Sequence, residues 1–215
     1  MPGATAPPIG GFPQAGWAPS KPSGLALWAI ITTGAYTLTS LIAAATAQAT
    51  IDETKRVIEE GATTAPTDPL QFVSFLAMLA SFVLLAMWMM TIRNNLKQRG
   101  IIAGGPPAVE WWGWFVPIAN YILPFLGMKA IARRMVSIGT LLGWWVPFCL
   151  TWIIGTAAAF MSFSMFDWTT GEVTNLDALD ATVTLSYASG AAILVSWLFL
   201  VRIIRKVTDA HLTAS

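Results

Sequence analysis

The sequence predicts an all-α, polytopic membrane protein with four transmembrane helices and a proline-broken interfacial or re-entrant segment between helices 2 and 3. Of its 215 residues, 55% are hydrophobic and 11% are charged, whereas soluble domains are roughly 25% charged. Four long apolar runs contain no charged residue, and about 20 such residues cross the hydrocarbon layer of a bilayer. The basic residues collect on one side of these runs, which indicates a fixed orientation.

The four predicted spans cover residues 25–50, 70–92, 139–166 and 181–201. The first span has a second interpretation as a cleavable signal peptide, because Ala45-Thr46-Ala47 has the small-x-small form of a processing site, but the run is longer than the usual signal. Residues 1–23 are rich in proline and glycine and are predicted to form a disordered cytoplasmic tail. Residues 207–215 are predicted to form a second, short cytoplasmic tail.

Two capping-box spacings and several pairs of small residues refine these spans. Thr50 with Glu53 predicts that a separate surface helix starts after the first span, and Thr174 with Asp177 predicts a helix start before the fourth. Small residues four positions apart let helix backbones approach closely in a membrane. Such pairs in the third and fourth spans are Gly139 with Gly143, Gly155 with Ala159, and Ser186 with Gly190.

The central segment, residues 107–134, separates the second span from the third. Its apolar stretch from Trp111 to Met128 is almost long enough to make a fifth crossing. However, Pro117 and Pro124 remove two backbone donors and leave carbonyls without helical partners, which is costly in lipid. A fifth crossing would also divide the basic residues between the two sides. We therefore expect an interfacial or re-entrant segment here.

Pro117, Asn120 and Pro124 form the candidate hinge of the central segment and are the best candidates for any functional site. The two prolines share a helical face, and the Asn120 amide between them is able to bond the carbonyl left free at Gly113. The alternative is a kinked helix packed on the bundle. Tryptophans suit the headgroup region, because an indole buries its ring and still bonds through its N–H. The tryptophans expected there are Trp111, Trp112 and Trp114.

Ten of the twelve lysines and arginines lie on one side of the predicted spans, and only Lys55 and Arg56 lie on the other. The positive-inside rule then places both termini in the cytoplasm. Bases beside a membrane surface attract anionic lipids, at about 1 kcal/mol each. The bases that we expect to contact anionic lipid headgroups are Arg93, Lys129, Arg133 and Arg134.

The stretch WWGWFVPIANYILP, followed by a Trp144-Trp145 pair, resembles a family of bacterial membrane proteins catalogued as domain of unknown function 4328 and found largely in actinobacteria. The similarity covers about residues 70–206. Its most specific part is the run Trp114-Phe115-Val116-Pro117 with Asn120 and Pro124. The sequence departs from the family pattern at Ala130 and Ala132, where the family has a glutamate and a tryptophan. The resemblance implies a protein of the bacterial plasma membrane with this architecture, and it implies no reaction.

The sequence contains no motif of a known catalytic or cofactor-binding site, such as a Walker loop, a dinucleotide glycine fingerprint, H-E-x-x-H or a nucleophile elbow. Its one cysteine, Cys149, and its one histidine, His211, do not make a zinc or haem ligand set. We expect a buried thiol and a solvated tail imidazole. We therefore expect no catalytic residue, no bound metal, no cofactor and no nucleic-acid partner.

Two functional hypotheses of different classes remain. The first is a non-catalytic membrane module, acting as a scaffold, assembly or accessory subunit through contacts with the lipid bilayer, anionic headgroups, other membrane proteins or further copies of itself. The second is a small transporter or oligomeric channel in which the broken segment provides a polar site. The first is favoured, because ion-coupled transport usually needs an ionisable group inside the membrane and the four predicted spans contain none.

Overall fold

The computed structural model of the chain describes residues 21–60, 69–104, 109–116, 118–164 and 177–212. Within these ranges all regular secondary structure is helical. The helices are α1 Ser23–Glu59, α2 Pro69–Gln98, α3 Val109–Trp112, α4 Leu123–Ala132, α5 Ile138–Phe163 and α6 Asp177–Leu212, and a 3₁₀ turn, Ala119–Tyr121, precedes α4.

Four of these helices, α1, α2, α5 and α6, are long and apolar enough to cross a membrane. This confirms the predicted number of such helices. Even α5, which has 26 residues, extends for about 39 Å at the helical rise of 1.5 Å per residue. The hydrocarbon layer is only about 30 Å thick, so α1 with 37 residues and α6 with 36 project well beyond it. These lengths support a multi-pass membrane protein.

Helix α1 does not break where the sequence predicted a cap. Thr50 lies inside the helix, and its hydroxyl donates to the Thr46 carbonyl at 3.1 Å, so the predicted helix start at Thr50 is wrong. The charged extension of α1 instead packs beside the start of α6, where the Lys55 ammonium lies 2.7 Å from the Asp180 carboxylate. Thr174, the second predicted cap, lies outside the described residues.

Helix α6 also extends further than predicted. It ends at Leu212, so the residues from Val207 to that point are helical and do not form a tail. His211, predicted to be solvated, is only 4% exposed. Val207 and His211 lie four residues apart and continue the buried face of α6. This part of α6 packs on α2 through a hydrogen bond from Trp88 Nε1 to Thr208 Oγ1 at 3.1 Å.

The four long helices form a bundle that the central segment completes. Helix α1 packs against α2 and against α6, and α6 packs against α5. The short helices α3 and α4 contact α2, and α4 also contacts α5 and α6, so the central segment lies between α2 and α5. We call the end of the bundle at which α2 and α6 finish the basic end, and the opposite end, at which α1 finishes, the acidic end.

The most completely buried large side chains gather toward the basic end, where the central segment adds a layer to the bundle. They come from α2, α3, α4, α5 and α6, and they are Trp88, Met89, Ile92, Val109, Glu110, Met128, Ile131, Leu141, Trp144, Ile203, Ile204 and Val207. Such close packing stabilises helix association where lipid removes the hydrophobic drive.

Two of the predicted small residues permit close helix contacts. A Cβ atom added to Gly143 of α5 would lie 2.7 Å from the Phe199 ring of α6, and one added to Gly190 would lie 3.0 Å from the Ala44 Cβ of α1. Gly139 and Gly155 have no described neighbour within 4 Å of that position. Close approach therefore occurs at Gly143 and Gly190 and not at the other two glycines.

Candidate functional site

The central segment enters the bundle with Trp114 as a wedge between α2 and α5. Trp114 is 4% exposed and stacks on Phe82 of α2 with the ring centroids 4.9 Å apart. Its edge-to-face contacts with Trp145 and Phe148 of α5 have centroid distances of 6.4 and 6.0 Å. Aromatic pairs of this kind contribute about 0.5–1.5 kcal/mol each beyond their burial. One side chain of the central segment thus joins two of the long helices.

The core position of Trp114 differs from the headgroup position that the sequence predicted. Its stacking partner Phe82 lies about 16 Å along α2 from Arg93, given the helical rise. Gly113 lets the chain pass tightly into this position, because a Cβ there would lie 2.6 Å from the Val109 carbonyl oxygen and 3.0 Å from the Leu123 Cβ. The two other tryptophans remain nearer the surface, Trp111 half-buried and Trp112 40% exposed.

A buried ion pair fixes the start of the central segment to α2. Glu110 has a fully buried side chain and accepts a hydrogen bond from Arg93 Nε, whose own side chain is 18% exposed. Arg93 also donates from Nη2 to the Gly104 carbonyl at 3.2 Å and from Nη1 to the Ala103 carbonyl at 3.5 Å. The guanidinium of Arg93 therefore faces Glu110 and the backbone, whereas the sequence prediction assigned it to lipid headgroups.

Glu110 is the site residue that the sequence reasoning missed. A signal existed, because Glu110 and Asp209 are the only two acids among the residues that the sequence prediction places on the basic side, and Glu110 immediately precedes the apolar stretch that begins at Trp111. A carboxylate in such a place needs a cationic partner when it is buried. Its second oxygen, Oε2, is buried and has no hydrogen-bond partner among the described residues.

The three predicted hinge residues have different outcomes. Pro117 lies outside the described residues. Pro124 is the second residue of α4, where its missing N–H removes no intrahelical bond, so it begins a helix. Asn120 is 7% exposed and its backbone N–H donates to the Val116 carbonyl at 2.8 Å. Its side-chain oxygen is buried without a partner among the described residues, and the predicted bond to the Gly113 carbonyl does not form.

Four basic side chains meet around a surface pocket of ≈ 700 Å³ at the basic end. Arg99 follows α2, Arg133 and Arg134 follow α4, and His211 lies in the last turn of α6. The sequence prediction named Arg133 and Arg134 as lipid contacts and missed Arg99 and His211. Lys129, the remaining predicted contact, is exposed on α4 and lies outside this pocket.

A cleft of ≈ 430 Å³ opens among the long helices toward the acidic end. Small residues and residues with a hydroxyl or amide group, from all four long helices, line much of it: Tyr36 and Ser40 of α1, Gln71 and Ser74 of α2, Gly155 and Ala158 of α5, and Ser186 and Ser189 of α6. Tyr36 also lines a small apolar cavity of ≈ 30 Å³ together with Phe82, Trp114 and Phe148. The aromatic cluster around Trp114 therefore lies between the cleft and the basic end.

A family model described as a domain of unknown function, DUF4328, matches residues 67–209. The chain belongs to this family. In this DUF4328 protein the match includes the Arg93–Glu110 pair, the cluster around Trp114 and the three arginines of the pocket, whereas α1 and His211 lie outside it. No curated protein and no solved structure matches the chain.

In the described part of the DUF4328 protein, the basic end offers cationic side chains that can bind an anion. The cleft offers a neutral polar surface. Within the described ranges, no three His, Cys, Asp or Glu side chains stand close enough together to hold a metal ion. Cys149 is half-buried on α5 and does not line any of the three spaces described above.

Proposed function

We propose that the protein is a non-catalytic module of the bacterial plasma membrane, a scaffold, assembly or accessory subunit with both termini in the cytoplasm. It acts through contacts of its central segment with anionic lipid headgroups and, on that platform, with other membrane proteins. The distribution of ten basic residues on one side and two on the other supports the orientation, since positively charged segments stay in the cytoplasm.

One observation carries the proposal: the central segment is anchored on its inner side and presents both apolar and basic groups outward. Phe115, Ile118 and Ile122 are 55%, 82% and 55% exposed, and Lys129 and Arg134 are exposed further along. Apolar side chains beside cationic ones suit the boundary between acyl chains and headgroups. The occupant of this surface is therefore the cytoplasmic leaflet.

Lipid retention in nanodiscs tests this contact. The variant Lys129→Gln/Arg133→Gln/Arg134→Gln should lose anionic lipid on purification and should lose the extra stability that anionic nanodiscs provide, by about 3 kcal/mol if each base contributes about 1. A control variant with the same charge change on α6 carries glutamine at Arg202, Arg205 and Lys206. The control variant should lose less anionic lipid and less of the extra stability than the first variant. Equal losses in both variants, or none in either, would contradict the proposal.

The cleft supports a second candidate, a small transporter or channel for a neutral solute. Its lining by hydroxyl and amide groups of Tyr36, Ser40, Gln71 and Ser186 gives hydrogen-bonding partners to a polar solute without any charge in the membrane. Solute flux into proteoliposomes distinguishes the two candidates. Flux that stops when Gly155 is changed to Trp, which fills the cleft, favours transport, and absence of flux favours the module.

A further inference from the structure

The basic pocket at the end of the bundle brings three separate parts of the chain together. Arg99 comes from the end of α2, Arg133 and Arg134 come from the turn after α4, and His211 comes from the end of α6. None of the described residues that line the pocket is acidic; the others are Leu96, Ile101, Met135 and Ala210. The described part of the pocket thus has cationic groups on an apolar lining.

His211 lines this pocket and has one ring nitrogen without a hydrogen-bond partner among the described residues. Its Nδ1 lies 2.8 Å from the Val207 carbonyl oxygen of its own helix, and because a carbonyl only accepts, Nδ1 carries the proton of that bond. Nε2 lies on the opposite side of the ring and so faces away from the helix backbone. It is buried and has no hydrogen-bond partner among the described residues. A buried polar atom without a partner needs an explanation, and a ligand supplies one.

Arg99 and the two arginines of the turn have different surroundings. Arg99 Nη2 donates to the His211 carbonyl at 3.3 Å, which ties α2 to α6 beside the imidazole. Arg133 and Arg134 are exposed and form no ion pair with any described residue. Arg133 has a backbone φ of 46°, a conformation that is strained for a residue with a side chain. Such strain concentrates at binding sites.

The helix ends around the pocket do not cancel its charge. Three C-termini, those of α2, α4 and α6, converge here, and each contributes roughly half a negative charge. Three guanidinium groups exceed that total, so the pocket keeps a net positive charge. A role as a helix cap accounts for Arg99, because its guanidinium bonds a terminal carbonyl. The same role does not account for the guanidiniums of Arg133 and Arg134.

We propose that this pocket binds a phosphate monoester group, with the guanidiniums of Arg99, Arg133 and Arg134 around its oxygens and with His211 Nε2 bonded to its hydroxyl. Arginine matches phosphate geometry through paired N–H donors. Nε2, whose ring already carries a proton on Nδ1, accepts a hydrogen bond from a P–OH group. A phosphate monoester has such a group in its singly charged form, which loses the proton with a second pKa of about 6, whereas a phosphate diester lacks it.

The phosphate has two possible sources, a lipid headgroup or a soluble compound, and the experiment separates them. Full-length protein is placed in phosphatidylcholine nanodiscs that contain phosphatidic acid, a monoester lipid, or the same mole fraction of phosphatidylglycerol, a diester lipid. Lipid retention is measured by native mass spectrometry. In parallel, the thermal stability of the protein in pure phosphatidylcholine nanodiscs is measured with added inorganic phosphate or sulfate. The lipid-retention measurement rests on the proposed function, the lipid contact. The measurement with inorganic phosphate does not depend on that contact.

The variants His211→Gln and Arg134→Gln test the pocket, and Lys129→Gln is the control outside it. Wild type should retain phosphatidic acid over phosphatidylglycerol about tenfold, the effect of one charge-assisted hydrogen bond, and each pocket variant should remove that preference. Lys129→Gln should weaken both lipids equally. Arg134 is exposed, so its variant reports on binding even if the His211 variant fails to fold.

Each outcome decides the proposal. A phosphatidic acid preference lost in both pocket variants supports it with a lipid source. Stabilisation by inorganic phosphate over sulfate, also lost in both variants, supports it with a soluble source, even where the proposed lipid function fails. Wild type without either preference, or a preference that survives in both variants, overturns it.

Discussion

The buried ion pair between Arg93 and Glu110 gives the sharpest test of how the central segment is held. Changing Glu110 to Met leaves the Arg93 guanidinium, 18% exposed, without its carboxylate, and changing Arg93 to Met leaves a fully buried carboxylate without its cation. Removing one partner of a buried pair costs about 3–5 kcal/mol. We expect each single variant to lower the free energy of unfolding by about that amount.

The double variant Arg93→Met/Glu110→Met should be more stable than either single variant. Apolar replacement of a whole buried pair is often neutral or stabilising, and it also removes the unpartnered Oε2 of Glu110. The carbonyls of Ala103 and Gly104 lose their donor, at about 1 kcal/mol each. The double variant should therefore lie about 1–2 kcal/mol below wild type, with a coupling energy of at least about 3 kcal/mol in the mutant cycle.

Unfolding in neutral-lipid nanodiscs, followed by tryptophan fluorescence, measures these differences. Glu53→Gln is the matched control, because it removes one partner of the exposed Arg56–Glu53 pair on α1; no measurable change is expected there. A double variant as unstable as the sum of the two single variants would refute the reasoning. So would equal losses in the Glu53 and Glu110 variants.

Two further predictions concern the tight turn and the orientation. Gly113→Ala should destabilise the protein by about 1–3 kcal/mol, because the new methyl group meets backbone. Gly139→Ala, at the exposed second residue of α5, meets nothing described and should leave the stability within about 0.5 kcal/mol of wild type. Similar effects of the two variants in unfolding assays would contradict this. In a Cys149→Ala background, a cysteine at Glu60 should react with an impermeant reagent in intact cells and one at Gly104 should not, and labelling at Gly104 would reverse the orientation.

The sequence predicted the number of long helices well and their ends poorly. Uncharged runs mark where a chain crosses hydrocarbon, and that signal was strong in all four helices. It does not mark where a helix ends, because a charged residue such as Lys55 or Arg202 continues a helix readily in water. Thr50 had the spacing of a cap but donates to the preceding turn. At the other end, the spacing of Ile204, Val207 and His211 did carry a helical signal, and hydropathy alone overlooked it.

The sequence predicted the region of the candidate site but not the contacts within it. The central segment stood out through its tryptophans, prolines and bases, but an indole suits both a headgroup layer and a protein core. Trp114 lies in the core because it fills the space between α2 and α5, and that space exists only after the bundle has formed. The pairing of Glu110 with Arg93 depends on the same packing, and so does the meeting of Arg99 with His211 across 112 residues of chain.

The uneven packing of the two ends bears on which part of the protein moves. Between the cleft and the basic end the central segment joins α2 to α5 through Trp114, and nearer the basic end the buried pair of Glu110 ties the segment to α2. At the acidic end the described contacts include Lys55 with Asp180, whose side chains are 23% and 56% exposed; an exposed pair of this kind contributes little to stability. Local opening follows the less stabilised contacts. The cleft is therefore expected to change shape at the acidic end while the basic pocket keeps its geometry.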